Sequence, residues 1–313
     1  MRILSLSEFI PEQICDIIRF TPYHGDRNIN HYCGYVSDFI SQVRYDDSID
    51  GCVFPRSCDS TRIMNRYLSG VDKFVYQILV PARQDNLAIN FFAKGIADYQ
   101  KAIEGYYQQR IDTIEQRIEY INTRNKAIER LYSLLGDISY FGYISAIHDI
   151  LKKPLFEQKI ENCHMASNHG GKKVYLIGSF LSNLAIIDLI EKSGMLIVGD
   201  NLPESGRIKS NKDYKQEDDI YEYIAECILK RRTSPTQNNF KSILQSDLDE
   251  IKAKNAKGVI FVIQKYCEPY LYLFSVYKKM LEANNIPSVV ITVSHSDDMG
   301  RAEMILETFA DTI

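Results

Sequence analysis

Seven cysteines occur in the 313 residues, and two of them occupy matching places. Cys58 lies in Pro55-Arg56-Ser57-Cys58-Asp59, and Cys267 lies in Lys265-Tyr266-Cys267-Glu268-Pro269. Each follows a short apolar run, Asp50–Phe54 or Gly258–Ile263, and each precedes a stretch with helical character. That spacing places both thiols where a strand of an α/β sheet ends, the edge at which such sheets bind ligands. A thiolate is a nucleophile and a soft metal ligand. A thiol followed by an acid at two strand ends therefore points to one metal or redox site assembled from two halves of the molecule.

Composition narrows the setting. Hydrophobic residues make up 45% and charged residues 25%, as in an ordinary globular protein. The chain is longer than one core normally uses, so two domains are expected. Net charge is −4 and the densest basic cluster is only Lys230-Arg231-Arg232, too short for a nucleic-acid surface, so no nucleic-acid partner is expected. No apolar run approaches the roughly 20 residues that span a bilayer. Met1–Ser5 lacks the apolar core of a signal peptide. No membrane association and a cytoplasmic location are the expectations. There, cysteines serve as thiols or metal ligands rather than as a disulfide framework. None of them forms CxxC or CxxxC, which excludes zinc-ribbon and ferredoxin patterns.

The thiols need elements to hold them. Phe9–Phe20 reads as a helix with Pro11 near its start, where proline is tolerated. Ile49–Phe54 and Phe74–Val80 read as buried strands joined by a helical Ser60–Leu68. From Ala82 to Lys153 there is no proline and apolar residues recur at three and four, which predicts two or three helices. The tyrosines between Tyr99 and Tyr143 read as core and subunit contacts. Pro154–Gly171 reads as a polar linker. Beyond it, strands at Val174–Gly178, Met195–Gly199, Gly258–Ile263 and Ser288–Val293 alternate with helices at Leu181–Lys192, Asp218–Arg231, Asp247–Ala253, Tyr270–Ala283 and Arg301–Asp311. The expected class is α/β, with two doubly wound parallel-sheet lobes and a helical segment between them. Residues 1–165 form the N-terminal lobe, with the helical segment at 85–153, and residues 166–313 form the C-terminal lobe.

Five stretches together carry a family likeness: Phe9–Ile14 with Phe20-Thr21-Pro22; Cys33 within His31–Val36; Asp50–Arg62 around Cys58; Lys173–Ser179 with Gly194–Asp200 and Ser205-Gly206-Arg207; and Gly258–Tyr270 around Cys267. In order and spacing they resemble the subunits of 2-hydroxyacyl-CoA dehydratases and the related benzoyl-CoA reductases. The resemblance implies a [4Fe-4S] cluster held by Cys33, Cys58 and Cys267, with one iron open to act as a Lewis acid. It further implies one-electron reduction by a separate ATP-dependent iron–sulfur activator, and radical loss of a hydroxyl from an acyl-CoA substrate. A dimer, with itself or with a related subunit, would carry out this lyase reaction.

Further residues are weighed on both sides. Glu12 and Ser57 are candidate catalytic groups, Glu12 as an acid, base or orienting group and Ser57 as a donor to cluster or substrate. Glu12 reads more readily as a solvated first-turn carboxylate, and Ser57 equally as an ordinary strand-end hydroxyl. Ser179, in a strand-to-helix turn, and Arg207 are candidate substrate-binding residues. Arg207 and Arg301 also read as surface ion pairs. Cys15, Cys52 and Cys227 read as buried thiols, and Cys163 with His164 and His169 as part of the linker. The stretch Asn201–Glu204 departs from the family pattern, and Ser294–Gly300 and the stretch before Pro11 are short. These departures favour two alternatives: a non-catalytic partner subunit, or an iron–sulfur reductase or sulfur-transfer enzyme acting on a small non-CoA molecule.

Overall fold

The computed structural model describes residues 2–6, 8–19, 33–158, 170–181, 183–209, 213–215, 218–231, 234–293 and 299–313. Strands β1 (Ile3–Ser5), β2 (Ile17–Arg19), β3 (Gly51–Arg56) and β4 (Phe74–Leu79) form a parallel sheet in the order β2-β1-β3-β4. Strands β5 (Lys172–Gly178), β6 (Met195–Asn201), β7 (Gly258–Gln264) and β8 (Ser288–Val293) form a second, in the order β6-β5-β7-β8. Both sheets thus run second-first-third-fourth, the doubly wound order whose switch point lies between first and third strands. The expected α/β architecture with two parallel sheets is observed.

Helices cover both faces of each sheet. In the first, Leu4, Ile18, Cys52 and Phe54 pack against α1 (Gly34–Tyr45) and the short α2 (Asp59–Arg62) and α3 (Met64–Tyr67). Their neighbours Ile3, Ile17, Val53 and Phe74 face α4 (Asn86–Tyr107) and α8 (Ile220–Leu229). In the second, Val174, Leu176, Ile260 and Val262 face α6 (Tyr140–Leu151), α7 (Ala185–Lys192) and α11 (Met299–Thr312). Tyr175, Ile177, Val259 and Phe261 face α9 (Phe240–Ala253) and α10 (Glu268–Ala283). Alternate side chains go to opposite covered faces, so β7 is buried at every residue and reads as an unbroken apolar run.

The proline-free segment yields three helices, α4, α5 (Ile114–Ser133) and α6. Asp85 caps α4 by accepting from the Ala88 N–H at 3.0 Å, and Ser139 caps α6 by accepting from Gly142. Each helix buries one stripe, but against different partners: α4 packs on the first sheet, α6 on the second.

One expectation is corrected. Phe9–Phe20 is not a helix: turns run to Cys15 and β2 follows. A helix on a sheet keeps a solvent face, whereas Phe9, Ile10, Gln13, Ile14 and Cys15 are all buried. With neighbours on every side, tertiary contacts override the local spacing. In consequence Cys15 lies in a turn, its thiol 3.1 Å from the Tyr99 hydroxyl, rather than on a helix. Two helix boundaries also differ: α7 begins at Ala185 and α9 extends back to Phe240. Among the described residues no helix is long and apolar enough to cross a membrane.

Candidate functional site

The third strand of each sheet ends in a thiol. Cys58 follows β3 and stands at the N-cap of α2, and Cys267 follows β7 at the N-cap of α10. Cys33 takes the same position at the start of α1. The three line one cavity of about 90 Å³ at the carboxyl ends of the strands of both sheets. Leu6 and Phe9 beyond β1, Phe180 beyond β5 and Pro203 beyond β6 supply apolar wall, with Pro55 and Pro269. The arrangement follows from topology. Equivalent strand ends in two sheets of the same order face a shared crevice, and helix N-termini there favour negative charge.

Local bonding fixes each thiol. Thr61 Oγ1 accepts from the Cys58 N–H at 3.1 Å and the Ser57 N–H at 3.2 Å, and donates to the Cys58 carbonyl at 2.9 Å. Around Cys267 the backbone does this work: its N–H donates to the Gln264 carbonyl at 2.9 Å, and Tyr266 adopts a left-handed φ of 65°. Such a conformation is uncommon for a bulky residue and bends the chain sharply at the strand end.

The thiols differ in ionisation. Cys33 is held below its ordinary value because the Cys267 thiol donates to it, which overcomes burial, and the Val36 and Tyr35 N–H groups add to the effect. Cys267, the donor in that bond, is pushed well up, with burial adding and Arg207 opposing. Burial raises Cys58, against hydrogen bonds from Thr61. Cys15, Cys52 and Cys227 lie instead in the packed clusters of the first sheet, where burial pushes Cys15 up to about 12.

Ser57, Ser179 and Arg207 also line the cavity. The Ser179 hydroxyl accepts from the Gln264 N–H at 2.9 Å, and Gln264 Nε2 donates to the Phe180 carbonyl at 3.0 Å, stitching the β5 and β7 ends together. Arg207 is buried rather than a surface pair. It donates to Asn201 Oδ1 at 2.6 Å, to Glu8 at 3.1 Å and to the Tyr270 hydroxyl. Most of its N–H groups are thereby engaged, and it ties the loop after β6 to the first turn of α10.

Glu12 is not among the lining residues. It is buried among arginines: Oε1 accepts from Arg19, and Oε2 from Arg124 at 2.8 Å. Burial would raise its carboxyl, but Arg124, Arg19 and Arg231 outweigh burial and bring it down to about 2. Arg301 is exposed on α11. Cys163, His164, His169, the segment Phe20–Tyr32 and positions 294–298 lie outside the described residues.

Several lining residues are not singled out by the sequence alone. Tyr35 stacks on Phe180 with ring centroids 4.4 Å apart, and Glu8 and Tyr270 hold Arg207. Tyr35 and Thr61 had a signal, since they fall two and three residues after Cys33 and Cys58. Phe180 had none, because its ring partner is distant in the chain. Among the described residues, no three His, Cys, Asp or Glu side chains are gathered as a single metal ion would require.

The chain is 22% identical over 295 residues to a benzoyl-CoA reductase subunit of Thauera aromatica, covering 85% of this chain and 75% of that one. It is 25% identical over 144 residues to the (R)-phenyllactyl-CoA dehydratase beta subunit of Clostridium sporogenes, covering 46% and 38%. With the beta subunit of (R)-2-hydroxyglutaryl-CoA dehydratase from Acidaminococcus fermentans, identity is 22% over 301 residues, covering 85% and 76%. Residues 8–313 match the family described as 2-hydroxyglutaryl-CoA dehydratase, D-component, and the chain belongs to that family.

Proposed function

We propose that this chain is an iron–sulfur subunit of a 2-hydroxyacyl-CoA dehydratase-like enzyme, with Cys33, Cys58 and Cys267 holding a [4Fe-4S] cluster. The observation that carries the reading is that three thiols from distant segments, each at a helix N-terminus, line one cavity. The donor set suits such a cluster. Thiolates are the usual protein ligands of such a cluster, and Cys33, Cys58 and Cys267 would supply three of them. When bound, the cluster supplies one-electron reduction and an open Lewis-acid iron for radical dehydration, after activation by an ATP-dependent iron–sulfur activator.

The chain's own residues prepare the site. Thr61 and the Tyr266 bend aim the thiols, and Arg207 places a fixed positive charge on the cavity wall. The apolar wall from Leu6 to Pro269 limits water around developing charge. Ser57 offers a hydroxyl beside Cys58. A partner, either a second copy or a related subunit, completes the assembly.

The cavity volume supports a second reading. About 90 Å³ is well below the roughly 300–1,000 Å³ of ordinary ligand pockets. This favours a small non-CoA substrate, taken by an iron–sulfur reductase or sulfur-transfer enzyme, or a pocket completed by the partner of a non-catalytic subunit.

Anaerobic purification with iron and acid-labile sulfide analysis tests the main reading. About four of each per chain are expected, and a colourless, iron-free protein after reconstitution would overturn it. Binding of an acyl-CoA against the free 2-hydroxy acid then separates the two readings.

A further inference from the structure

The three cavity thiols are not equivalent. Cys58 is turned into its own helix end, its sulfur 3.5 Å from Thr61 Oγ1. Cys33 and Cys267 are instead brought together by contacts around Gln264, the last residue of β7. Gly34 lies against the Gln264 side chain, since a Cβ built on it would stand 3.6 Å from Oε1. Tyr35 stacks on Phe180, and the Phe180 carbonyl accepts from Gln264 Nε2 at 3.0 Å. The Gln264 carbonyl in turn accepts the Cys267 N–H at 2.9 Å. One residue thus docks the start of α1, from the first half, onto the turn before α10, from the second. Within the cavity that both line, the Cys33 and Cys267 thiols hydrogen-bond to each other.

Two thiols in contact are placed for oxidation to a disulfide, because the second sulfur intercepts the first oxidation product before more oxidant does. We propose that Cys33 and Cys267 close into a reversible disulfide when a hydroperoxide enters the cavity and no cluster occupies it. The Cys33 sulfur, at the start of α1, attacks one peroxide oxygen. The O–O bond breaks, the other oxygen leaves as water with the thiol proton, and a sulfenic acid remains on Cys33. The Cys267 sulfur then attacks that sulfenic sulfur. The S–O bond breaks, the hydroxyl leaves as water with the Cys267 proton, and the S–S bond forms. The two thiols give up two electrons in all, and the peroxide takes them. The bond spans the two halves and keeps both sulfurs from the sulfinic acid, which thiols do not reduce. Its bearing on cluster loading rests on the reading of these residues as ligands: the disulfide withholds both from iron until a thiol reductant reopens it.

The bond needs no cluster, so the test uses iron-free, fully reduced, full-length protein. It is treated anaerobically with stoichiometric hydrogen peroxide, blocked with N-ethylmaleimide, and mapped by mass spectrometry without reduction. The peptide pair linked through Cys33 and Cys267 should dominate over every other pair. Two of the seven thiols should be lost, and both recovered with dithiothreitol. Cys58→Ala should keep the link, whereas Cys267→Ala should lose it and leave on Cys33 a sulfenic acid that dimedone traps. Wild-type mapping carries the test even where that variant fails to fold. A dominant link through Cys58, or folded protein whose cavity thiols go on to sulfinic acids without a link, overturns the proposal. An equal yield of the same link from urea-unfolded protein also overturns it, because the folded contact would then play no part. Iron uptake separates the two readings. Reduced protein that forms the link but assembles no cluster sinks the cluster alone, and protein that assembles a cluster but forms no link sinks this inference alone.

Discussion

The two sheets have the same strand order but use it differently. In the second, all four strands are six or seven residues long, and only three residues separate β7 from α10. There bonds between neighbouring strand ends set the site: the Gln264 N–H donates to the Ser179 hydroxyl, its side chain donates to the Phe180 carbonyl, and the Tyr266 bend aims Cys267. In the first sheet, β1 and β2 are three residues each, and the chain spends its length on the loop beyond β1. That loop is held by side chains, with Glu12 among arginines and Thr61 clasping the Cys58 turn. One half is fastened by bonds between adjacent strand ends, and the other by charged and polar side chains of its loops.

The largest effect should fall on both halves alike. Cys58→Ser and Cys267→Ser, one from each sheet, should each remove most of the iron and sulfide from anaerobic preparations, as should Cys33→Ser, while Cys227→Ala keeps them. Loss from only one sheet would break the equivalence of the third strands.

Next comes the carboxylate shared between arginines in the loop beyond β1. Glu12→Gln leaves buried guanidinia unpaired and should destabilise the protein by about 3–5 kcal/mol in urea unfolding. The Glu12 carboxyl lies near 2 in the folded protein, below its ordinary 4.5. Its stabilisation is therefore complete above the ordinary value and lost as pH falls towards 2. Unfolding at pH 6, 4 and 3 should show that decline in the wild type, and Glu12→Gln should lack that portion of it.

Glycines opening the third strands give a finer test. A Cβ on Gly51 would stand 2.7 Å from both the Phe74 carbonyl oxygen and its Cβ, within the neighbouring strand. On Gly258 it would meet the ring end of Phe309 at 2.7 Å, which can turn aside. Gly51→Ala should therefore cost about 1–3 kcal/mol and Gly258→Ala clearly less. Equal costs would mean that the first sheet yields as readily as a side chain.

Smallest is Thr61→Val, which removes the hydroxyl holding the Cys58 turn and should cost about 1 kcal/mol. It should also speed iron release to a chelator. Unchanged release would show that the backbone fastens Cys58 as it does Cys267.

Much of this was legible in the chain. Val174–Gly178 and Gly258–Ile263 read as strands because their apolar runs record burial on both faces, and Ser288–Val293 reads as one from its β-branched run although it is a half-buried edge strand. The helices after β7 and β8 read to within two residues because their stripes are local, whereas α7 starts four residues later than expected. Phe9–Cys15 misled because its apolar spacing imitates a helix, while its burial on all sides comes from α4, α8 and the sheet. Glu12 carried an acid's usual ambiguity, which sequence alone left open between a surface turn and the site. Its three arginines come from segments up to more than two hundred residues away.

By itself, the sequence determined the class of fold, the two strand-end thiols and the membership of Cys33 through resemblance. These rest on periodicity and motif, which neighbours within a few residues impose. Only the tertiary structure decided that Cys33 and Cys267 hydrogen-bond, that Arg207 is clamped by Glu8 and Tyr270, and that Glu12 sits outside the cavity among guanidinia. Such pairings depend on closing long stretches of chain around two sheets, and no local pattern encodes which distant partner a buried group will meet.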